Sequence, residues 1–146
     1  MTYEIEHTDK QILIHRKKGT YTLNKTDEET DKLRVNDYIA MFEREDFYES
    51  KHFINEFNEK LETAILATRQ GGSGAAACRD TLLSLYNGSA YKANLSNWYS
   101  LDSTNRAALL FILEHQTANN RQDIDLYLQQ YSNDFTRMKA EIKDND

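Results

Sequence analysis

The chain of 146 residues contains no proline, where average usage near 5% would supply about seven. Proline breaks helix interiors and central strands. A chain without it, and with only five glycines of which three sit together at Gly71, Gly72 and Gly74, reads as helices joined by short polar connections. A single cysteine, Cys78, excludes an intrachain disulfide framework and a cysteine-built zinc site. Clustered basic residues are also scarce. Only Arg16-Lys17-Lys18 qualifies, so direct nucleic-acid binding, which needs a phosphate-binding surface of Lys and Arg, is disfavoured. No apolar run approaches the roughly 18 residues of a membrane helix. The opening Met1-Thr2-Tyr3-Glu4-Ile5-Glu6 is acidic and polar where a signal peptide is basic and then apolar. The expectation is a soluble, cytoplasmic protein.

What is present suffices for a core, since 39% of the residues are hydrophobic. Between residues 2 and 24 Tyr3, Ile5 and His7 alternate with polar residues, Ile12-Leu13-Ile14 is apolar, and Tyr21 and Leu23 alternate again. That period of two, with a turn at Lys18-Gly19, predicts a small β-hairpin or meander in residues 1–25. Beyond it the period becomes helical through residues 26–142. Leu33, Val35, Ile39, Phe42 and Phe47 fit a short helix starting after Asn36. Ser50 caps a helix carrying Phe53, Phe57, Leu61, Ala64 and Ile65, which stops at Gly71-Gly72. Ser73 caps a third helix ending at Asn87-Gly88. A polar, aromatic loop spans 88 to 101, and Asp102 caps a helix apolar nearly all round, expected to be the most buried element. A last helix begins near Asn120, with Asp123 completing a capping box, and carries Ile124, Tyr127, Leu128, Tyr131, Phe135, Met138 and Ile142. Residues 143–146 read as a frayed tail. The expected fold is mainly α, a five-helix, bundle-like single domain over 1–146 with a small N-terminal β element.

Charge is uneven. Twelve of the 24 acids lie in residues 26–62, against five bases there. A solvated helix face plus an acidic first turn explains such a run, and so does a negative surface that steers a basic partner or imitates nucleic-acid phosphates. Glu43, Glu45, Asp46 and Glu49 are the candidate contacts. Tyr86, Tyr91, Trp98 and Tyr99 form a second candidate surface, because Tyr and Trp combine a large contact area with a polar handle and recur in binding hot spots. They serve equally well as rings folded inward to cap the core.

No catalytic, metal or cofactor site is expected. Gly71-Gly72-Ser73-Gly74 has the look of a phosphate cradle, but lacks a preceding strand and the Gly-Lys-Ser/Thr ending. Cys78 sits in an alanine-rich helix with no histidine nearby in sequence and reads as a small core thiol. Glu49-x-x-His52 has di-iron spacing, yet no second copy exists, since Glu114 and His115 are adjacent.

Residues from about Leu61 to His115 resemble a small uncharacterised helical family of bacterial chromosomes, plasmids and prophages. The resemblance is carried by Thr63-Ala64-Ile65-Leu66, Gly72-Ser73-Gly74, Leu82-Leu83-Ser84-Leu85-Tyr86-Asn87 and the stretch from Asn94-Leu95 to Leu101-Asp102. This chain lacks the tandem tryptophans of that family and adds about 50 N-terminal residues and a long C-terminal helix. The resemblance implies an α-helical core and an accessory role, with no activity or cofactor.

The functional expectation is therefore a non-enzymatic, protein-binding accessory factor, phage or mobile-element encoded, acting as an inhibitor of a host nucleic-acid-handling or defence complex through its acidic surface. One alternative is a small ligand-binding or enzymatic domain with a pocket near the 86–101 loop. Another is a structural protein that oligomerises, as a homodimer for example, through the C-terminal stripe.

Overall fold

The computed structural model describes residues 3–118 and 122–144. The fold is mainly α with a small N-terminal antiparallel sheet, and its contacts divide it into two compact units, Met1–Phe47 and Tyr48–Asp146. No helix among the described residues is long and apolar enough to cross a membrane.

The first unit is a three-stranded meander, β1 (Glu4–His7), β2 (Gln11–Arg16) and β3 (Gly19–Asn24), in the order β1-β2-β3. Register places Ile14 between Ile5 and Tyr21, and Ile12 between His7 and Leu23. Successive side chains of a strand face opposite ways. Ile12, Ile14 and Leu23 therefore share one face and are buried. Helix α1 (Glu28–Glu49) covers that face with Val35 and Phe42, and Tyr38 and Ile39 pack beside them at helical spacing.

Helix α1 begins at Glu28, nine residues before the expected start after Asn36. The Asp27 side chain accepts from the Thr30 N–H at 2.8 Å. Asp31 accepts from both the backbone N–H and the hydroxyl of Thr26, at 2.9 and 2.6 Å. The acids Glu28, Glu29 and Asp31 occupy the first turn, where the helix dipole favours negative charge. Part of the acidic run is thus a helix-start signal.

The second unit is built on α2 (Lys51–Thr68). Ser50 caps it, accepting from the Phe53 N–H at 3.3 Å, and Phe53, Phe57, Leu61, Ala64, Ile65 and Thr68 are buried along one face. Phe57 is wholly enclosed, a burial that contributes about 1.5–3 kcal/mol. Helix α3 (Gly72–Tyr86) follows a turn in which Gly71 and Gly72 take φ of +77° and +86°, a region L-residues with a β-carbon avoid. Its cap is therefore Gly71, and Ser73, expected at that position, lies inside the first turn. A 3₁₀ helix, Leu95–Ser100, leads to α4 (Ser103–Gln116), which Asp102 caps through the Asn105 N–H at 2.7 Å.

Helix α4 is not the most buried element. It buries Ala108, Leu109, Ile112 and Gln116, while Leu110 is 53% exposed. The central place belongs to α2, whose buried residues run its whole length. The C-terminal stretch is likewise not one helix. The expected cap Asn120 lies outside the described residues, and Asp123 precedes a short α5 (Ile124–Leu128) without a side-chain capping bond. A 3₁₀ turn, Gln129–Tyr131, then passes into α6 (Ser132–Asp144). Ser132, Asn133 and Asp134 favour caps and turns over helix interiors, and the change of element falls there. The apolar stripe survives it: Ile124, Tyr127, Leu128 and Met138 are buried, and Tyr131, Phe135 and Ile142 pack against the same core. Lys143 and Asp144 belong to α6 rather than to a frayed tail; residues 145–146 lie outside the described residues.

Candidate partner-binding surface

The aromatic loop separates into anchors and a protruding ridge. The Asn94 side chain accepts from the Ser96 N–H at 3.0 Å and opens the 3₁₀ helix. Leu101 is buried at its far end, and its N–H donates to the Trp98 carbonyl at 3.1 Å. Tyr91 and Trp98 pack against the core of the second unit. Gly74 lets the segment close on α3, because a β-carbon there would stand 3.1 Å from the Ser100 carbonyl oxygen. Leu95 and Tyr99, between these anchors, are 69% and 95% exposed. Beside them lies an open groove of about 550 Å³, lined by Leu95, Ser96, Trp98, Tyr99, Leu101 and Arg106. Trp98 Nε1 is buried with no hydrogen-bond partner among the described residues. Tyr86 stands apart from this ridge. It packs edge-on to Phe135 of α6, with ring centroids 4.6 Å apart.

The acidic candidates separate in the same way. Glu45 accepts from Arg16 at 3.2 Å, and that guanidinium lies over the Phe42 ring, 4.0 Å from its centroid. Asp46 accepts from the Tyr3 hydroxyl at 2.5 Å. Partial burial, together with Asp46 and the nearby Glu43, pushes the Tyr3 pKa up to about 12. Glu45 and Asp46 therefore tie α1 to the sheet, whereas Glu43 and Glu49 are exposed on α1.

Cys78 is fully buried, and desolvation, with the field of Asp102, pushes its thiol up to about 11, far from a reactive thiolate. His52 faces Glu56 at 3.8 Å, while Glu49 lies on the other side of the Ser50 break between helices. Among the described residues no group of three or more His, Cys, Asp or Glu is placed to hold a metal ion.

One cluster escapes sequence reading. Arg69, at the end of α2, makes a two-bond pair with Asp134 of α6 at 2.8 and 2.9 Å. Arg137 of α6 reaches Asp134 and Glu141 on its own helix and the Thr68 hydroxyl at 2.8 Å. Arg79 of α3 bonds Asp80 and reaches Glu141. The Asp134 carboxyl is held below the usual carboxylate range, first by its bond from Arg69 and then by that from Arg137. Each arginine lines the same cavity beside Gly71 and Gly72, and each is matched to a carboxylate, so the arrangement staples α6 to α2 and α3. Within α6 only the spacings Asp134–Arg137 and Arg137–Glu141 signal it; the partners in α2 and α3 are more than sixty residues away.

Residues 59–143 match the model of a family of unknown function, DUF7673. The chain belongs to the DUF7673 family. The DUF7673 region runs from the middle of α2 through α6 and takes in the 3₁₀ ridge, its Gly74 contact and the arginine staple. It also takes in the 61–115 stretch that carried the family resemblance. Neither a curated protein nor a solved structure matches the chain.

Proposed function

We propose that this DUF7673 protein is a non-enzymatic accessory factor that binds another protein through the ridge of its 3₁₀ helix. The observation that carries this reading is Tyr99, almost wholly exposed beside Leu95 on a segment whose two ends and inner face are fixed. Fixing the backbone that carries an outward aromatic side chain reduces the ordering entropy lost on binding. Tyrosine, tryptophan and arginine are also the residues enriched in binding hot spots, and Trp98, Tyr99 and Arg106 border one groove. The family resemblance adds a setting: an accessory gene of a bacterial chromosome, plasmid or prophage, working in the cytoplasm.

A second reading keeps the acidic surface. Glu28, Glu29, Asp37 and Glu43 are exposed on α1, and an excess of acids steers a basic partner at long range. An inhibitor of a host nucleic-acid-handling or defence complex would present such a face to a basic groove.

Photo-crosslinking tests the first reading. Benzoylphenylalanine in place of Tyr99 is expected to give a discrete adduct in host lysate, and the same group in place of the exposed Gln129 is expected to give none. Equal labelling at both positions, or none at Tyr99, would contradict it.

A further inference from the structure

We infer that the groove beside the 3₁₀ helix takes a partner segment in which an apolar side chain lies next to a carboxylate, the apolar group seated between Leu95, Trp98 and Tyr99 and the carboxylate held by Arg106. This inference rests on the reading of the ridge as a protein-binding surface and adds the chemistry of what binds there.

The groove has an apolar lining and a single charge. Leu95, Trp98, Tyr99 and Leu101 supply the apolar surface, and Arg106 is the one ionisable group of acid or base type among the residues that line it. Among the described residues the Arg106 guanidinium makes no hydrogen bond or ion pair; its backbone N–H alone is engaged, donating to the Asp102 carbonyl at 3.0 Å. Asp102, the carboxylate closest in sequence, is committed elsewhere. One oxygen accepts from the Asn105 N–H at 2.7 Å and the other from the Asn105 side-chain amide at 3.2 Å. Arg106 contrasts with Arg69, Arg79 and Arg137, each of which already holds a carboxylate.

Charge complementarity then selects the occupant. A guanidinium forms two parallel bonds to a carboxylate, so an Asp, a Glu or a chain-terminal carboxyl fits where a Lys or Arg of the partner would be repelled. The chain as a whole carries a formal charge of −6, so its long-range field opposes an acidic segment. Recognition must act within about one Debye length, roughly 8–10 Å. The apolar contact therefore supplies most of the affinity, and Arg106 supplies the discrimination. This chemistry is opposite to that of the acidic α1 face.

A library of short random peptides displayed on yeast and sorted against the full-length chain tests the inference. Enriched peptides are expected to carry Asp, Glu or a free C-terminal carboxyl next to Leu, Met or an aromatic residue. Arg106→Glu is expected to weaken their binding by about tenfold or more, the order of one charge-assisted contact, and Leu95→Ala with Tyr99→Ala to abolish it. Enriched peptides that need Leu95 and Tyr99 but carry no acid and ignore Arg106→Glu would overturn the inference and leave the ridge as a binding surface. Basic enriched peptides, binding indifferent to Leu95 and Tyr99, or no enrichment would overturn both. So would a concentration-dependent mass of the chain that Tyr99→Ala abolishes, because the ridge would then be occupied by a second copy.

Discussion

The carbonyl oxygen of Ser100 lies 3.1 Å from the point where a β-carbon on Gly74 would stand. Two backbones meet there, the first turn of α3 and the end of the 3₁₀ helix, and neither has a flexible side chain to yield. Gly74→Ala is therefore expected to cost about 1–2 kcal/mol, as an overpacked contact does, and to displace the 3₁₀ helix. Trp98 is the only tryptophan, so its emission reports the displacement directly. A variant with the parent's melting temperature and emission would show that the contact is slack.

The pair of Arg69 with Asp134 predicts how acid destabilises the second unit. The Asp134 pKa is lower folded than unfolded, so its contribution is complete above the unfolded value near 4 and is lost as pH falls through the folded one. Asp134→Asn is expected to lower stability at neutral pH by about 2 kcal/mol, the order of hydrogen bonds to charged groups, and to flatten the loss below about pH 4. Denaturant melts across that range check both.

The contact of Tyr3 with Asp46 gives the opposite sign. Its folded pKa is raised to about 12 from the ordinary 10.0. Its contribution is therefore complete below pH 10, where both states hold the proton, and is lost between that value and the folded one. Tyr3→Phe should remove this alkaline loss, measured as melting temperature against pH.

Charge reversal separates the structural acids from the solvated ones. Glu43→Lys, at an exposed position, is expected to leave the melting temperature unchanged. Glu45→Lys and Asp46→Lys are each expected to lower stability by about 1 kcal/mol or more, the first because it sets a lysine against Arg16 and the second because it removes the acceptor of the Tyr3 hydroxyl. Equal effects from all three would show that Glu45 and Asp46 are not ties.

How far the sequence foretold the fold depended on whether a signal was local. Strand alternation from Tyr3 to Leu23 and the caps at Ser50 and Asp102 act over three or four residues, and the structure follows them. The start of α1 lies ahead of the expected one because the apolar spacing of Leu33, Val35, Ile39, Phe42 and Phe47 is too loose to mark it, and the capping bonds at Asp27 and Asp31 set it instead. α2 rather than α4 is the central helix, and composition does not tell a helix packed along one face from one surrounded. At the surface, the types Tyr and Trp marked the loop at 86–99, but which ring turned inward depended on the Gly74 contact and on the buried Leu101. The arginine staple joins residues far apart in the chain, and nothing local announces it.

We propose that Trp98 holds the loop while Tyr99 meets the partner. Melting temperature and partner capture, measured together on Trp98→Ala and Tyr99→Ala, test it most directly. Trp98→Ala should lower stability by about 3 kcal/mol or more, as loss of a large packed ring does. Tyr99→Ala should melt with the parent and lose capture. A Tyr99→Ala protein that captures the partner as well as the parent does would contradict the account.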